Sequence, residues 1–254
     1  MRIILSALLL LGSFTLQAGV QEKKINYTYN GEQMTGYMYW DDAIEGKRPG
    51  VLLIHEWWGL NDYARERAHM LAELGYVAFA ADMYGTGKIT TEASHAKTMM
   101  QAVAGDVNGW RERGLLGLEQ LQNSELVDAS RLGVVGYCFG GASALQLVYA
   151  DAPVKGVVSF HGALPPAPAD TAVNAKILVL HGGDDAFVKP EAVDKFKSSI
   201  SSTGADLQMV TYEGVRHAFT SPEAGKYGID NLKYDEAADK HSWNKMQAFF
   251  NQLF

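Results

Sequence analysis

A sulfur nucleophile with its own base and acid is the chemistry that this chain's residue types and spacing point to. Gly136-Tyr137-Cys138-Phe139-Gly140-Gly141 sets a cysteine among glycines, after a strand-like run over 131–136 and before a helix-like run over 142–150. A strand, a one-residue turn and a helix force the central residue into strained backbone. The flanking glycines remove the Cβ atoms that would clash there. A lone cysteine is more often a small buried hydrophobe, but strain of this kind is seldom kept for packing alone. Cys138 is the only cysteine in 254 residues, which excludes a disulfide within the chain. A thiol needs a base to become a thiolate near neutral pH, and the base needs an acid to fix its tautomer.

The elements that must position these groups alternate. Runs at 24–29 and 34–40 flank Asn30-Gly31 and predict an antiparallel hairpin. Nearly continuous apolar runs at 50–55 and 76–81 predict buried strands, 131–136, 154–160 and 176–180 read as further strands, and 207–212 as the last. Helical patterns fall at 63–74, stopped by Gly75, and at 91–103, 110–121, 190–200 and 234–254. The expected fold is α/β: a mostly parallel sheet with helices on both faces and an N-terminal antiparallel hairpin.

Sites in such sheets form outside the carboxyl ends of the strands. Those ends carry His55-Glu56-Trp57-Trp58, Asp82-Met83-Tyr84, Cys138, His161, His181 with Asp184-Asp185, and His217. Cys138, Asp185 and His217 occur in the order nucleophile, acid, base, each after a strand that would carry it. Asp184 competes with Asp185 for the acid, and one of the two is left to cap the helix near Pro190. His55, His161 and His181 compete with His217, but they sit directly at strand ends, where an imidazole often satisfies loop carbonyls. His217 stands in a glycine-containing loop beyond its strand, as a base should. His69, His95 and His241 fall on predicted helices and read as surface residues. No pair of histidines has metal-ligand spacing, so neither a metal nor a cofactor is expected.

The N-terminus reads separately. Arg2, the apolar run 3–11 and small residues near Ala18 form the pattern of a secretory signal peptide over residues 1–18, with Leu16 unusual three residues before the cut. The expected product is periplasmic or secreted, a single domain over 24–254, and a monomer. The net charge of −7 and the absence of a Lys/Arg cluster argue against nucleic acid or an anionic membrane surface as a partner. No later apolar run is long enough for stable membrane insertion.

The motifs together carry a resemblance. Gly-Tyr-Cys-Phe-Gly-Gly (136–141), His-Glu-Trp-Trp-Gly-Leu (55–60), Asp-Met-Tyr (82–84), Gly-Gly-Asp-Asp-Ala-Phe-Val (182–188) and Arg-His-Ala-Phe (216–219) resemble the dienelactone hydrolase family, from about Tyr27 to Phe254. The resemblance implies an α/β-hydrolase fold and a Cys138–Asp185–His217 triad acting on small ester, lactone or thioester substrates. It implies that Glu56 meets the thiol in the resting enzyme, and that the backbone N–H groups of Trp57 and Phe139 form the oxyanion hole. The chain departs from the family where muconate-type enzymes hold a substrate carboxylate with two arginines. Gly85-Thr86-Gly87 and Thr220-Ser221-Pro222 stand at those positions, with Lys88 and Arg216 as the nearby cations. Trp57, Trp58, Met83, Tyr84 and Phe187 suggest instead an apolar mouth for an uncharged substrate. The alternative class is a catalytically silent scaffold of the same fold that binds a ligand or partner.

Overall fold

The computed structural model describes residues 19–254; the expected signal peptide lies outside them. One eight-stranded sheet organises the described residues. β1 (Val20–Tyr29) and β2 (Glu32–Asp41) form the expected hairpin, longer than the sequence pattern indicated. Asn30 and Gly31 both take positive φ, 47° and 81°, as a tight two-residue turn matched to strand twist requires. β2 adds the hairpin antiparallel to β4 (Val77–Ala81). From β4 onward every pairing is parallel, through β3 (Arg48–Ile54), β5 (Val127–Tyr137), β6 (Gly156–Phe160), β7 (Lys176–Gly182) and β8 (Leu207–Tyr212).

The unbroken apolar runs are explained by two cores. On β3, Leu52 and Ile54 enter one cluster while Val51 and Leu53 enter the other. The first cluster is covered by α2 (Ala93–Ala104), α3 (Val107–Gln122), α4 (Phe139–Tyr149) and α5 (Pro190–Ser201). The second is covered by α1 (Asp62–Glu73) and the closing helix α6 (Glu236–Asn251). Asn61 and Asp235 cap these two helices by accepting from the amides of Ala64 and Ala238. The fold is thus the expected doubly covered α/β sheet.

Two local features differ from expectation. β5 begins at Val127, upstream of the predicted run, because a register break between Pro49 and Gly50 lets residues 129–131 loop out. Asp128 accepts from the Ser130 amide there, so this stretch reads as a turn in sequence although strand pairing resumes at Leu132. A single 3-10 turn, Ala224–Tyr227, gives no periodic signal and was not expected.

Candidate functional site

The carboxyl ends of β3, β5, β6, β7 and β8 meet at one edge of the sheet. Cys138 occupies the turn between β5 and α4 with φ 54° and ψ −112°. A non-glycine residue pays about 1–3 kcal/mol to sit in such a region. The neighbouring glycines are obligatory by contact. A Cβ on Gly136 would lie 1.9 Å from the Gly140 carbonyl oxygen, and one on Gly140 would lie 2.0 Å from that of Ile54. The Cys138 amide donates to Phe160 at 3.0 Å, and its carbonyl accepts from Gly141 at 3.0 Å as α4 begins. The half-buried sulfur therefore stands at the N-terminus of an eleven-residue helix, where the helix dipole favours negative charge.

The Phe139 amide is the first of α4 and has no intrahelical acceptor. Its ring is held by stacking on Trp110, with centroids 5.4 Å apart, and the Trp110 indole donates to Ser143 at 2.8 Å. The other amide of interest, that of Trp57, belongs to the peptide whose carbonyl is Glu56. His55 fixes that peptide. Its Nε2 accepts from the Met83 amide at 3.2 Å, so the ring proton resides on Nδ1 and donates to the Glu56 carbonyl at 2.5 Å. Burial pushes the His55 pKa down, which keeps this neutral form. In a trans peptide the N–H points opposite the carbonyl, so fixing one fixes the other.

Asp185 and His217 are brought together. His217 Nδ1 and Asp185 Oδ2 are 2.7 Å apart, and both residues are buried. The second oxygen, Oδ1, accepts from the Phe187 amide at 2.9 Å and from Asn231 Nδ2 at 3.1 Å. Burial works to raise the carboxyl's pKa, but His217 and these donors outweigh it and hold it down at about 2. Burial likewise works to lower the imidazole's pKa. The charge of the Cys138 sulfur and the bond to Asp185 outweigh it, so the protonated ring is favoured. His217 Nε2 is buried and has no other partner among the described residues. Asp184, by contrast, is exposed, and only its backbone amide is engaged, by the Val215 carbonyl.

Glu56 is buried beside this group. Burial pushes its carboxyl up to about 7, against the pull of the positive charges on His217 and Arg67. It is thus poised to hold or release a proton near neutrality. Arg67, on α1, donates to the Thr220 carbonyl and to Asp239 Oδ1, the latter at 2.7 Å.

The five residues expected at the mouth divide. Phe187 is 53% exposed and stands edge-on to His217, ring centroids 5.1 Å apart, and Trp57 is partly exposed. Tyr84 is buried between His55 and Phe139, and its hydroxyl has no hydrogen bond among the described residues. Burial first, then the Cys138 charge, raises the Tyr84 phenol's pKa. Trp58 and Met83 correct the expectation. Met83 is fully buried, and Trp58 is stacked flat on Tyr227 at 3.8 Å in a small cluster with Ala96 and Leu232. Trp58 is wall rather than mouth because the unforeseen 224–232 segment covers it, whereas Met83 is sealed within the first core cluster. Asn231, which also accepts from the Ala186 amide at 3.0 Å, was missed outright. It reaches Asp185 from 46 residues along the chain, and nothing in the local pattern marks it. The two nearby cations are engaged elsewhere: Lys88 pairs with Glu32, and Arg216 donates to the Asp230 carbonyl at 2.8 Å.

Comparisons with known proteins agree with this frame. Residues 34–254 match the model of the Dienelactone hydrolase family. A carboxymethylenebutenolidase-like protein of Salmonella typhimurium is 26% identical over 235 residues, spanning 87% of this chain and 84% of its own. Another, from Saccharolobus solfataricus, is 26% identical over 266 residues, spanning 91% and 99%. Among solved structures, a dienelactone hydrolase-like promiscuous phosphotriesterase from metagenomic libraries superposes with a TM-score of 0.90 at 37% identity, covering 93% of this chain and 99% of that one. A dienelactone hydrolase-like protein of Klebsiella pneumoniae, 22% identical with a TM-score of 0.71 over 92% and 99%, shares the fold.

Proposed function

The chain belongs to the dienelactone hydrolase family, a hydrolase acting on ester bonds, and from that premise we propose an exported, monomeric cysteine hydrolase of small uncharged esters, lactones or thioesters. The observation that carries this reading is the 2.7 Å bond between Asp185 and His217 beside a strained cysteine at a helix N-terminus.

The family's chemistry and the Asp185–His217 contact support the following steps. In the resting enzyme the neutral thiol is proposed to meet Glu56, as the family resemblance implies, and a carboxylate so placed would oppose thiolate formation. Substrate displaces that carboxylate, and His217 Nε2 takes the thiol proton while Asp185 holds Nδ1–H and stabilises the imidazolium. The thiolate attacks the carbonyl carbon. The amides of Phe139 and Trp57 donate to the oxygen on which negative charge develops; one such donor is worth about 3 kcal/mol of barrier. The imidazolium protonates the leaving alkoxide as the C–O bond breaks, giving a thioester on Cys138. Water then attacks the thioester as His217 takes its proton, the C–S bond breaks, and the acid departs, leaving the Cys138 thiolate to recover a proton from the imidazolium. A panel of p-nitrophenyl and lactone substrates, with Cys138→Ala as control, tests the reading; indistinguishable rates would leave only the silent-scaffold alternative.

Charge at the pocket sets the substrate class. Neither family arginine position carries Arg, and Lys88 and Arg216 are already engaged. A substrate carboxylate would lose its water without gaining a bidentate partner, at a cost of several kcal/mol. A dienelactone methyl ester should therefore exceed its free carboxylate by at least about tenfold in kcat/KM, equivalent to about 1.4 kcal/mol. Preference for the free acid would show that another cation enters the pocket. Neutral phosphotriesters belong on the same panel, because the 37% identical structural neighbour is named for that activity.

Export rests on the n-region, apolar run and Ala18 of the sequence. Mass spectrometry of the protein from its native cell envelope should find a new N-terminus close to residue 19, and sedimentation should give the mass of one chain. An intact Met1 on a cytoplasmic product, or a dimer mass, would overturn the respective claim.

A further inference from the structure

We infer that His161 is a positioning residue that holds the His217 ring in the orientation proton transfer needs, and that Thr220 and Tyr63 in turn hold His161. The inference rests on His217 acting as the base proposed above.

His161 follows β6, directly beside the elbow. Its backbone amide donates to the Leu180 carbonyl at 2.8 Å, and its φ is 41°, in the left-handed region. The side chain is fully buried, and Nδ1 has no partner among the described residues. A strained backbone and an orphaned polar atom in one buried residue are two unfavourable features that packing alone does not call for. What the residue touches supplies a reason. Its ring meets the His217 ring at 65° with centroids 5.0 Å apart, and Phe187 meets His217 at 72° and 5.1 Å. Asp185 fixes one edge of the base through a single hydrogen bond, about which an imidazole can still swing. The two ring contacts oppose that swing.

His161 is itself held by a chain of hydroxyls. Its Nε2 lies 2.7 Å from Thr220 Oγ1, which lies 2.6 Å from the Tyr63 hydroxyl on α1. The orphaned atom decides the direction of the chain. With the proton on Nε2, His161 donates to Thr220, Thr220 to Tyr63, and Nδ1 is left as a bare acceptor. The other tautomer would bury an unpaired N–H, the rarer and costlier defect. Thr220 is three residues beyond His217, and Arg67 grips its carbonyl while pairing with Asp239 of α6. The loop and the ring are therefore tied to α1 and α6 by one hub. Burial, then the His217 charge, keeps His161 neutral, so no second imidazolium competes with the first.

The groups that set the charge of His217 are Cys138 and Asp185, with Glu56 after β3, His181 on β7, His161 after β6 and Arg67 on α1 around them. Cys138 alkylation by iodoacetamide as a function of pH reads the thiolate–imidazolium pair without any ester substrate. It should be measured together with kcat and KM for p-nitrophenyl acetate in wild type, His161→Phe and Thr220→Val. His161→Phe keeps a ring but loses the bond to Thr220; Thr220→Val is isosteric, removes both hydroxyl contacts and keeps the carbonyl that Arg67 grips. Both should lower kcat, His161→Phe by about tenfold or more, with KM changed less than about twofold. Both should move the alkylation profile to higher pH, because a misplaced imidazolium stabilises the thiolate less. A wild-type profile in both variants overturns the inference, even where their melting temperatures fall. Where His161→Phe does not fold, Thr220→Val decides alone. Where the wild type hydrolyses no ester yet the alkylation profile moves as stated, the proposed substrate class fails and the positioning role stands.

Discussion

Cys138→Ala should reduce hydrolysis of p-nitrophenyl acetate by a factor on the order of 10⁴ to 10⁶ while leaving the melting temperature nearly unchanged. The size of the loss follows from the residue's isolation: it is the single thiol in the chain, and loss of a nucleophile in comparable triads costs up to about 10⁶ in kcat. The neutrality of the fold follows from the backbone. Alanine also carries a Cβ, so it meets the same strain at φ 54° that cysteine does, and the elbow gains or loses little. The sulfur is half-buried, so its deletion removes about 1 kcal/mol of packing or less. Cys138→Ser keeps the geometry but presents an oxygen that is harder to deprotonate, and only residual turnover is expected. The companion variant Glu56→Gln removes the buried carboxylate that is proposed to oppose thiolate formation. Its sulfur should be inactivated by hydrogen peroxide severalfold faster than wild type, since thiolate character governs oxidation. Wild-type-like turnover in Cys138→Ala would end the mechanism; unchanged peroxide sensitivity in Glu56→Gln would remove Glu56 from it.

What the sequence made legible was whatever local chemistry dictates. The hairpin was written in Asn30-Gly31, the buried strands in their unbroken apolar runs, and the elbow in glycines whose replacement would drive a Cβ to 2 Å from a carbonyl. The Asp185 turn was legible as a pair of aspartates with Asp185 favoured, but not the reason for the choice, because which carboxylate turns inward depends on Asn231 and the Phe187 amide. Trp58 misled for a related reason: an aromatic at a strand end beside the elbow looks like part of the pocket mouth until Tyr227, from a segment with no periodic signal, is stacked upon it. His161 read as an ordinary strand-end histidine. Its strain, its orphaned nitrogen and its contact with His217 are properties of three elements converging, and no single stretch of sequence contains them.

Asp185→Asn should cost about 10⁴ in kcat, whereas Asp184→Asn should leave activity within about twofold. The loss at Asp185 follows from the donors around it. Phe187 N–H and Asn231 Nδ2 both point at Oδ1. In the variant the amide oxygen must stay with these two donors, so the amide nitrogen is forced towards His217 Nδ1. There it can only donate. His217 then carries its own proton on Nε2, and the lone pair that should take the thiol proton is gone. The fold should survive, since the two donors keep their acceptor and the side-chain volume is unchanged. The pH dependence supplies an independent sign. Cys138 and Asp185 together raise the His217 pKa, so removing the Asp185 charge lowers it. Whatever activity remains should lose its imidazolium at lower pH, and the alkaline limb of the profile should move downward. Asp184 has an exposed carboxylate and no part in this arrangement. A larger loss at Asp184 than at Asp185, with both proteins folded, would show that His217 takes its orientation from the neighbouring carboxylate in solution and would dismantle the proposed triad.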